Sequence, residues 1–281
     1  MRLLNESAET AVRHSRWVRF AFCILHSAFC IALSAACSAR RLPLPSDSGS
    51  PLPDFPAIHA RIASACGGVR TLTAELALRG RAGSRRLSGR LLAGFERPDS
   101  MRLEAVAPLG PPGFILTSQR GEAILLLPRE DRVVRGESAE AVLGALTGVS
   151  LAPADLQAIL TGCVVPVPKA IGGRLHEKGW ASIDVAGGAT LYLRRAGDWQ
   201  LRAARRDGWH LEYLAWQGAF PRSIRLRSER SAAEVDMSAT LSQIEANTDI
   251  DPAAFTGRVP SGARPLTLAE LRDAGPLGDQ E

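Results

Sequence analysis

The fold of this chain is decided by the stretch Thr71-Leu72-Thr73-Ala74-Glu75-Leu76-Ala77-Leu78-Arg79. Apolar side chains occupy every second position from Leu72 to Leu78, and mostly polar or small side chains lie between them. A period of two is typical of a β-strand, because successive side chains point to opposite faces of a sheet. The stretch therefore predicts a strand with one face on a core and the other in water.

Similar runs follow along the chain, separated by Gly, Pro and Asp. In the first half they cover residues 86–94, 101–107, 114–119, 122–127 and 132–135. In the second half they cover residues 180–185, 190–194, 199–204, 211–216, 223–227 and 233–244. Such close spacing predicts antiparallel neighbours. The glycine pairs 172–173 and 187–188 are interpreted as turns that flank strands.

Two short helices are predicted between these sets of strands, over residues 138–162. Ser138 is a candidate N-cap for the first helix, and Pro153 lies in the first turn of the second. Gly162 ends the pair. One side of the pair carries the apolar side chains of Val142, Leu143, Leu146, Leu156, Ile159 and Leu160.

These elements predict a mainly β fold with helices: a curled antiparallel sheet of about 11 strands, forming an open half-barrel. A sheet of this length curls instead of staying flat. We expect the short helices to form a lid over an apolar cavity. The candidate cavity or lid residues are Val142, Leu143, Leu146, Leu156, Ile159 and Leu160.

The single domain is predicted to span residues 54–281. Asp54 is a candidate N-cap for a first amphipathic helix that carries Ile58, Ile62 and Ala65 and ends at the glycines 67–68. Residues 245–281 form a C-terminal tail. Within it, Thr267 and Glu270 have capping-box spacing, which predicts a short final helix.

The N-terminal 36 residues have the pattern of a secretory signal peptide. Arg13, Arg16 and Arg19 precede an apolar run over residues 20–33, and small residues then lead to Cys37. This order predicts a bacterial lipoprotein with a lipid on Cys37. Ordinary signal cleavage and a secreted soluble protein is the alternative. A retained transmembrane helix is disfavoured because residues 20–36 fall short of the ~20 apolar residues that a span needs.

Residues 37–53 are predicted to be the lipidated cysteine and a flexible tether. Prolines and a Ser-Asp-Ser-Gly-Ser run at residues 46–50 give this segment too little apolar content to pack.

The charge of the chain argues against nucleic-acid binding. The formal net charge of +5 comes almost entirely from arginine, since Lys169 and Lys178 are the only lysines. The arginines alternate with apolar residues and form no patch interleaved with stacking residues, so they are interpreted as a solvated strand face.

No enzyme motif, metal site or cofactor site is predicted. Outside the leader, His59, His176 and His210 have no metal-ligand spacing to another His, Cys or carboxylate. Nucleophile elbows, phosphate-binding loops and dinucleotide fingerprints are also missing from the sequence. We therefore expect a protein without enzymatic activity and without a cofactor.

Two cysteines remain after the leader and Cys37, at Cys66 and Cys163. An exported compartment permits a disulfide between them, but sequence does not show whether they lie within bridging distance, and buried free thiols are favoured. Six aromatic residues concentrate in the second half of the sheet, where ordinary packing is favoured over a role in a lipid cavity: Trp180, Tyr192, Trp199, Trp209, Tyr213 and Trp216.

Three segments resemble the LolA/LolB lipoprotein-carrier superfamily, and within it the outer-membrane receptors of the LolB type. The first is Met101-Arg102-Leu103-Glu104 followed by Pro108-Leu109-Gly110, which resembles a strand and a protruding loop. The others are residues 139–148 and 151–162, which resemble the two mid-chain helices. The residues after Ile244 depart from the receptor pattern, which puts the identity of the cargo in doubt.

The resemblance implies an outer-membrane lipoprotein on the periplasmic face that binds acyl chains of lipoproteins or lipids and aids their transfer. It implies that Leu109 is exposed and aids insertion of lipid into the membrane. The expected partners are acylated lipoproteins or lipids, the membrane through the N-terminal lipid, and a periplasmic carrier protein; a monomer is expected. The alternative is a lipid-anchored sensor or scaffold module of the same fold with no transport role.

Overall fold

The computed structural model of the chain describes residues 42–163, 168–228 and 234–274. From Leu44 onward they belong to one compact unit. The helices are α1 (Phe55–Gly67), α2 (Ala139–Thr147), α3 (Pro153–Thr161) and α4 (Leu268–Ala274). The strands are β1 (Ser50–Pro51), β2 (Thr71–Ala82), β3 (Arg85–Glu96), β4 (Ser100–Val106), β5 (Ile115–Gln119), β6 (Glu122–Leu127), β7 (Arg132–Glu137), β8 (Ala170–His176), β9 (Trp180–Val185), β10 (Ala189–Ala196), β11 (Asp198–Arg206), β12 (Trp209–Gln217), β13 (Phe220–Ser228), β14 (Val235–Ala246) and β15 (Arg264–Pro265).

All 15 strands of the described residues lie in one open, curled sheet, in the order β1-β8-β9-β10-β11-β12-β13-β14-β2-β3-β4-β5-β6-β7-β15. Neighbours are antiparallel except β15, which runs parallel to β7. The prediction of a mainly β half-barrel with few helices is confirmed. The strand count exceeds the predicted value of about 11 because β1, β8 and β15 carry no alternating pattern for a sequence reading to detect.

The alternation in β2 places its leucines as predicted. Leu72 and Leu76 are buried, whereas Ala77 and Arg79 on the opposite face are exposed. We call the buried side, on which the helices pack, the inner face and the opposite side the outer face. The inner face and the helices share one continuous apolar core.

Strand β8 corrects the interpretation of the glycines 172–173 as a turn. Both lie inside the strand, paired with Asp184 and Ile183 of β9. A Cβ added to Gly173 would lie 2.3 Å from the Cβ of Phe55. The missing side chain therefore lets α1 approach the strand closely, which is one of the functions of glycine in sheets.

The caps of the lid helices are confirmed, but that of α1 is not. The Ser138 hydroxyl accepts a hydrogen bond from the Ala141 N–H at 3.1 Å, and Pro153 begins α3. Gly162 ends α3 in the left-handed conformation, with φ of 73°. Asp54 occupies the N-cap position of α1, yet its side chain makes no capping bond.

The C-terminal tail packs on the domain and contains the predicted final helix, α4. Thr267 donates its N–H to the Glu270 carboxylate at 2.8 Å, and Glu270 donates its own N–H to the Thr267 hydroxyl at 3.2 Å. The bonds that the Thr267 N–H and hydroxyl donate to the carboxylate, together with one from Arg132, hold the pKa of Glu270 below its usual value. Leu271 is completely buried in the core, and α4 lies against α2.

The segment before α1 is attached to β8, so the predicted tether ends earlier than residue 53. Residues 50–51 pair with Leu175 and Arg174, and Leu52 donates its N–H to the Gly173 carbonyl at 3.1 Å. The low apolar content that suggested a tether was misleading, because this attachment depends on backbone and polar bonds to an edge strand.

The Asp47 carboxylate holds this segment against β8 through hydrogen bonds. Asp47 Oδ1 lies 2.8 Å from His176 Nδ1 and accepts the Gly49 N–H at 2.9 Å. The hydrogen bond to His176 lowers the pKa of Asp47. Gly49 adopts a φ of +62°, and a Cβ added there would lie 2.9 Å from the His176 ring. The turn therefore requires glycine.

We predict that Asp47→Ala detaches residues 47–52 from β8, because it removes the acceptor for both Gly49 and His176. Hydrogen exchange should show faster exchange of the Leu52 amide, while protection of β2 amides stays unchanged. Asp54→Ala is the matched control, since the Asp54 side chain makes no capping bond. Unchanged exchange at Leu52 in Asp47→Ala would contradict the assignment.

Candidate functional site

An apolar cavity of about 140 Å³ lies between the inner face of the sheet and the helices α2 and α3. Its helix side is formed by Leu143, Leu146, Leu156, Ile159 and Leu160. These are five of the six residues that the sequence nominated for a cavity or lid. The sixth, Val142, is fully buried in the core and does not line the cavity.

The floor of the apolar cavity comes from strands on both sides of the β14–β2 pairing. It includes Leu76 and Leu91 from the first half of the sheet, and Ile224, Met237 and Ala239 from the second half. None of these floor residues was predicted from the sequence. The alternating pattern of each strand indicates that these residues lie on the inner face. Only the order of the strands in the sheet shows which inner-face residues lie beneath the lid.

The lid helix α3 is fixed to its surroundings by two polar bonds. The Tyr213 hydroxyl donates to the Ile159 carbonyl at 3.3 Å, and the Gln157 amide donates to the Arg70 carbonyl at 3.3 Å. Tyr213 is fully buried, and burial raises the pKa of its hydroxyl far above the usual value. The hydroxyl is therefore a neutral donor at every physiological pH.

A disulfide between Cys66 and Cys163 also fixes α3, with a Cα–Cα distance of 5.4 Å. This corrects the preference for free thiols, although both residues are buried as expected. The bond joins the C-terminal end of α1 to the residue after Gly162. The two cysteines are 97 residues apart in the sequence, so their contact could not be predicted from it. The fold alone brings the two helix ends together.

The other lid helix, α2, is held chiefly by apolar packing. Leu143 and Leu146 are buried against the sheet, and α4 packs on the same helix. Gly148 ends α2 with φ of 75°, and Val149 beyond it belongs to a small separate core cluster. The two lid helices therefore differ in how firmly they are attached.

We predict that the double variant Cys66→Ala/Cys163→Ala folds but loses about 2–5 kcal/mol of stability, as expected when a bridge closing a long loop is removed. Thermal and urea unfolding measure the loss. Alanine leaves no unpaired polar group in the buried site. A stability equal to that of the parent in both assays would show that the bridge does not constrain the unfolded chain.

Leu109 lies in the loop between β4 and β5, and 88% of it is exposed. The loop backbone is nevertheless held, because the Arg129 guanidinium donates to the carbonyls of Leu109 and Pro111 at 3.4 and 3.3 Å. A fixed backbone thus presents an apolar side chain to the surroundings.

The second-half aromatics mostly serve packing. Tyr213 is in the core, and Trp180 is buried with the Arg194 guanidinium 5.7 Å above its ring. Among the described residues, none of the six aromatics lines the apolar cavity. Trp199 and Trp216 instead line a second space, between α1 and strands β11 to β13.

Asp47, His176 and Ser182 form a chain of hydrogen bonds that the sequence did not predict. Beyond the contact with Asp47, His176 Nε2 lies 2.9 Å from the Ser182 hydroxyl. The order of atoms is that of a serine-hydrolase triad. However, Ser182 is only 6% exposed, and its strand β9 lies between β8 and β10, which occupy its backbone groups. These hydrogen bonds are suited to holding the segment before α1 against β8.

Among the residues that the structure describes, no group of three or more His, Cys, Asp or Glu side chains could hold a metal ion. No helix of that part of the chain is long and apolar enough to cross a membrane. Cys37 and the predicted signal peptide lie outside the described residues.

Comparison with known proteins gives loose structural similarities. No protein-family model matches the chain, and no curated protein matches it. A solved LolA superfamily protein from Nitrosomonas europaea is 12% identical, covers 71% of this chain and 98% of its own, and has a TM-score of 0.46. A putative outer membrane lipoprotein-sorting protein domain from Vibrio parahaemolyticus is 12% identical, with coverages of 71% and 94% and a TM-score of 0.45.

A DUF1329 family protein from Desulfovibrio piger is similar to the same degree, with 12% identity, coverages of 74% and 98%, and a TM-score of 0.46. These values are too low to transfer a function. The resemblance to LolB-type receptors stays a prediction from the sequence.

Proposed function

We propose that this protein is a non-enzymatic envelope lipoprotein that binds acyl chains of lipoproteins or lipids and aids their transfer at the outer membrane. The observation that carries this proposal is the cavity beneath α2 and α3, whose walls are almost entirely leucine, isoleucine and other apolar side chains. An acyl chain that enters it leaves water, and each buried methylene contributes ~0.8 kcal/mol.

The size of the cavity implies that the lid moves when a chain enters. Its volume of about 140 Å³ is below the ~300–1,000 Å³ of typical small-molecule sites. Helix α3 is held by Tyr213, Gln157 and the disulfide, so we infer that α2 and the connection after Gly148 move outward. Reopening of such a lid keeps the binding reversible, as transfer requires.

In this proposal, the exposed loop between β4 and β5 contacts the membrane when the acylated cargo is delivered. Leu109 is the most exposed of the large apolar side chains in the described residues, and its backbone is braced by Arg129. We infer that this side chain inserts between lipids during delivery. A single surface leucine is ordinary, so its role rests on its place in a braced, protruding loop and on the resemblance to the receptors.

The anchor in this proposal is a lipid on Cys37 that holds the domain at the periplasmic face of the outer membrane. Stable anchoring needs more than one acyl chain, and bacterial triacylation meets that requirement. A periplasmic carrier would supply the acylated cargo. The intact mass of the detergent-extracted protein tests the modification, and an unmodified Cys37 would exclude it.

We predict that Leu156→Trp, which fills the apolar cavity, weakens binding of a fluorescently labelled acylated lipoprotein by about tenfold or more, since a blocked cavity forfeits most of the methylene burial. The measurement is a fluorescence titration of the chain with Cys37→Ala. Leu92→Trp is the control, because Leu92 is 48% exposed and pairs with Glu75 and Glu104 on the outer face. Equal affinities for both variants would reject the cavity as the site.

We predict that Leu109→Glu leaves stability within about ±0.5 kcal/mol, as for other surface substitutions, and leaves binding of the labelled lipoprotein unchanged. Delivery of a labelled lipoprotein to liposomes should fall, because a carboxylate does not enter the bilayer. Leu92→Glu should deliver normally. If Leu109→Glu unfolds the domain or delivers at the parental rate, the membrane role of the loop is wrong.

A further inference from the structure

A second space lies on the other side of α3 from the apolar cavity. We call this space, of about 260 Å³ between α1 and strands β11 to β13, the α1 cleft. Ile159 and Leu160 line the apolar cavity, whereas the next two residues, Thr161 and Gly162, line the α1 cleft. The end of one helix therefore separates two spaces, and the proposed function uses only one of them.

The walls of the α1 cleft are held at a fixed separation. Cys66 and Cys163 both line it, and their disulfide ties α1 to the end of α3. A Cβ added to Gly162 would lie 2.5 Å from Cη2 of Trp216. Glycine at this position lets the indole lie directly against the helix end, so the cleft is a preformed feature of the fold.

The interior of the α1 cleft is apolar and aromatic. Ile58 and Ile62 of α1 face Trp199, Trp216 and Phe220 across it, and the three aromatic residues are only partly buried. This lining is therefore suited to an alkyl chain.

The rim of the α1 cleft carries an ion pair. Arg61 lies 3.6 Å from Asp198, and these side chains are 61% and 69% exposed. An exposed pair of this kind is weak, so an anion can take the place of Asp198 beside Arg61. The Arg195 guanidinium, outside the lining of the cleft, lies 5.9 Å from the Trp199 ring centre and places a positive charge next to that residue.

We propose that the α1 cleft is a second binding site, independent of the apolar cavity, for a single-chain fatty carboxylate. The alkyl chain lies against Trp199, Trp216 and Phe220, and the carboxylate pairs with Arg61. The volume is near the lower limit of ligand sites, which favours one chain over the several chains of a lipoprotein anchor.

The experiment is a titration of the full chain carrying Cys37→Ala with dodecanoate, followed by tryptophan fluorescence and by calorimetry. We expect saturable binding that Ala65→Trp weakens by about tenfold or more, because the exposed Ala65 lines the cleft and tryptophan fills it. Arg61→Gln should weaken binding by about threefold to tenfold. Arg70→Gln is the matched control, since Arg70 forms a similar exposed pair with Asp249 at 3.5 Å.

Each outcome distinguishes this site from the apolar cavity. Leu156→Trp should leave the high-affinity dodecanoate step intact, and Ala65→Trp should leave lipoprotein delivery intact. Loss of dodecanoate binding in Leu156→Trp but not in Ala65→Trp would place the fatty acid in the apolar cavity and overturn the proposal. Equal binding of dodecyltrimethylammonium, or no saturable binding of dodecanoate, would also overturn it. Thermal unfolding establishes that Ala65→Trp is folded, and Arg61→Gln tests the site without adding bulk.

Discussion

The pairing of β14 with β2 is the interaction on which the rest of the structure depends. It joins the two halves of the sheet along almost the whole length of both strands, from Val235 opposite Ala82 to Ala246 opposite Leu72. A Cβ added to Gly80 would lie 2.2 Å from the Asp236 carbonyl oxygen, so glycine permits the close approach. Without this pairing, the floor of the apolar cavity would be divided between two unconnected meanders.

The Asn247 side chain fastens one end of this pairing. Asn247 accepts the Arg70 N–H through its Oδ1 and donates its amide to the Gly68 carbonyl, both at 2.8 Å. These bonds connect the end of β14 to the link between α1 and β2. The same link accepts a bond from Gln157 of α3, so the lid, the first helix and the central strands meet at one place.

Two arginines of β13 form ion pairs on the outer face of the second half of the sheet. Arg227 lies 2.6 Å from Glu212, which is only 2% exposed, and Arg225 binds Asp236 through two bonds. A buried charge of this kind is stable only while its partner remains. The interpretation of the arginines as a strand face agrees with these contacts, but they are more deeply embedded than a solvated face would be.

Helix α3 borders both the apolar cavity and the α1 cleft, and it is bonded to the rest of the fold. Its polar anchors and the disulfide restrict it, whereas α2 depends on apolar contacts and on α4. Since apolar contacts have no preferred direction, a helix held by them can shift more readily than one held by directed bonds. The asymmetry gives the lid one fixed side and one side that can respond to a ligand.

The sequence by itself determined the local features of this protein. Alternation in β2, the Ser138 cap, the Gly148 and Gly162 ends and the Thr267–Glu270 capping box all depend on neighbours a few residues apart, so each could be read from the sequence. Five of the six nominated lid residues line the apolar cavity for the same reason, since helix periodicity fixes the face on which they lie.

The tertiary structure alone decided which distant residues meet. The Cys66–Cys163 bridge, the attachment of residues 47–52 to β8, the Asp47–His176–Ser182 chain and the α1 cleft each join segments that no local pattern relates. Strand β8 escaped detection because its glycines are selected by contact with α1 and not by alternation. Local propensity acts over a few residues, whereas the order of strands in a sheet is a property of the whole folded chain.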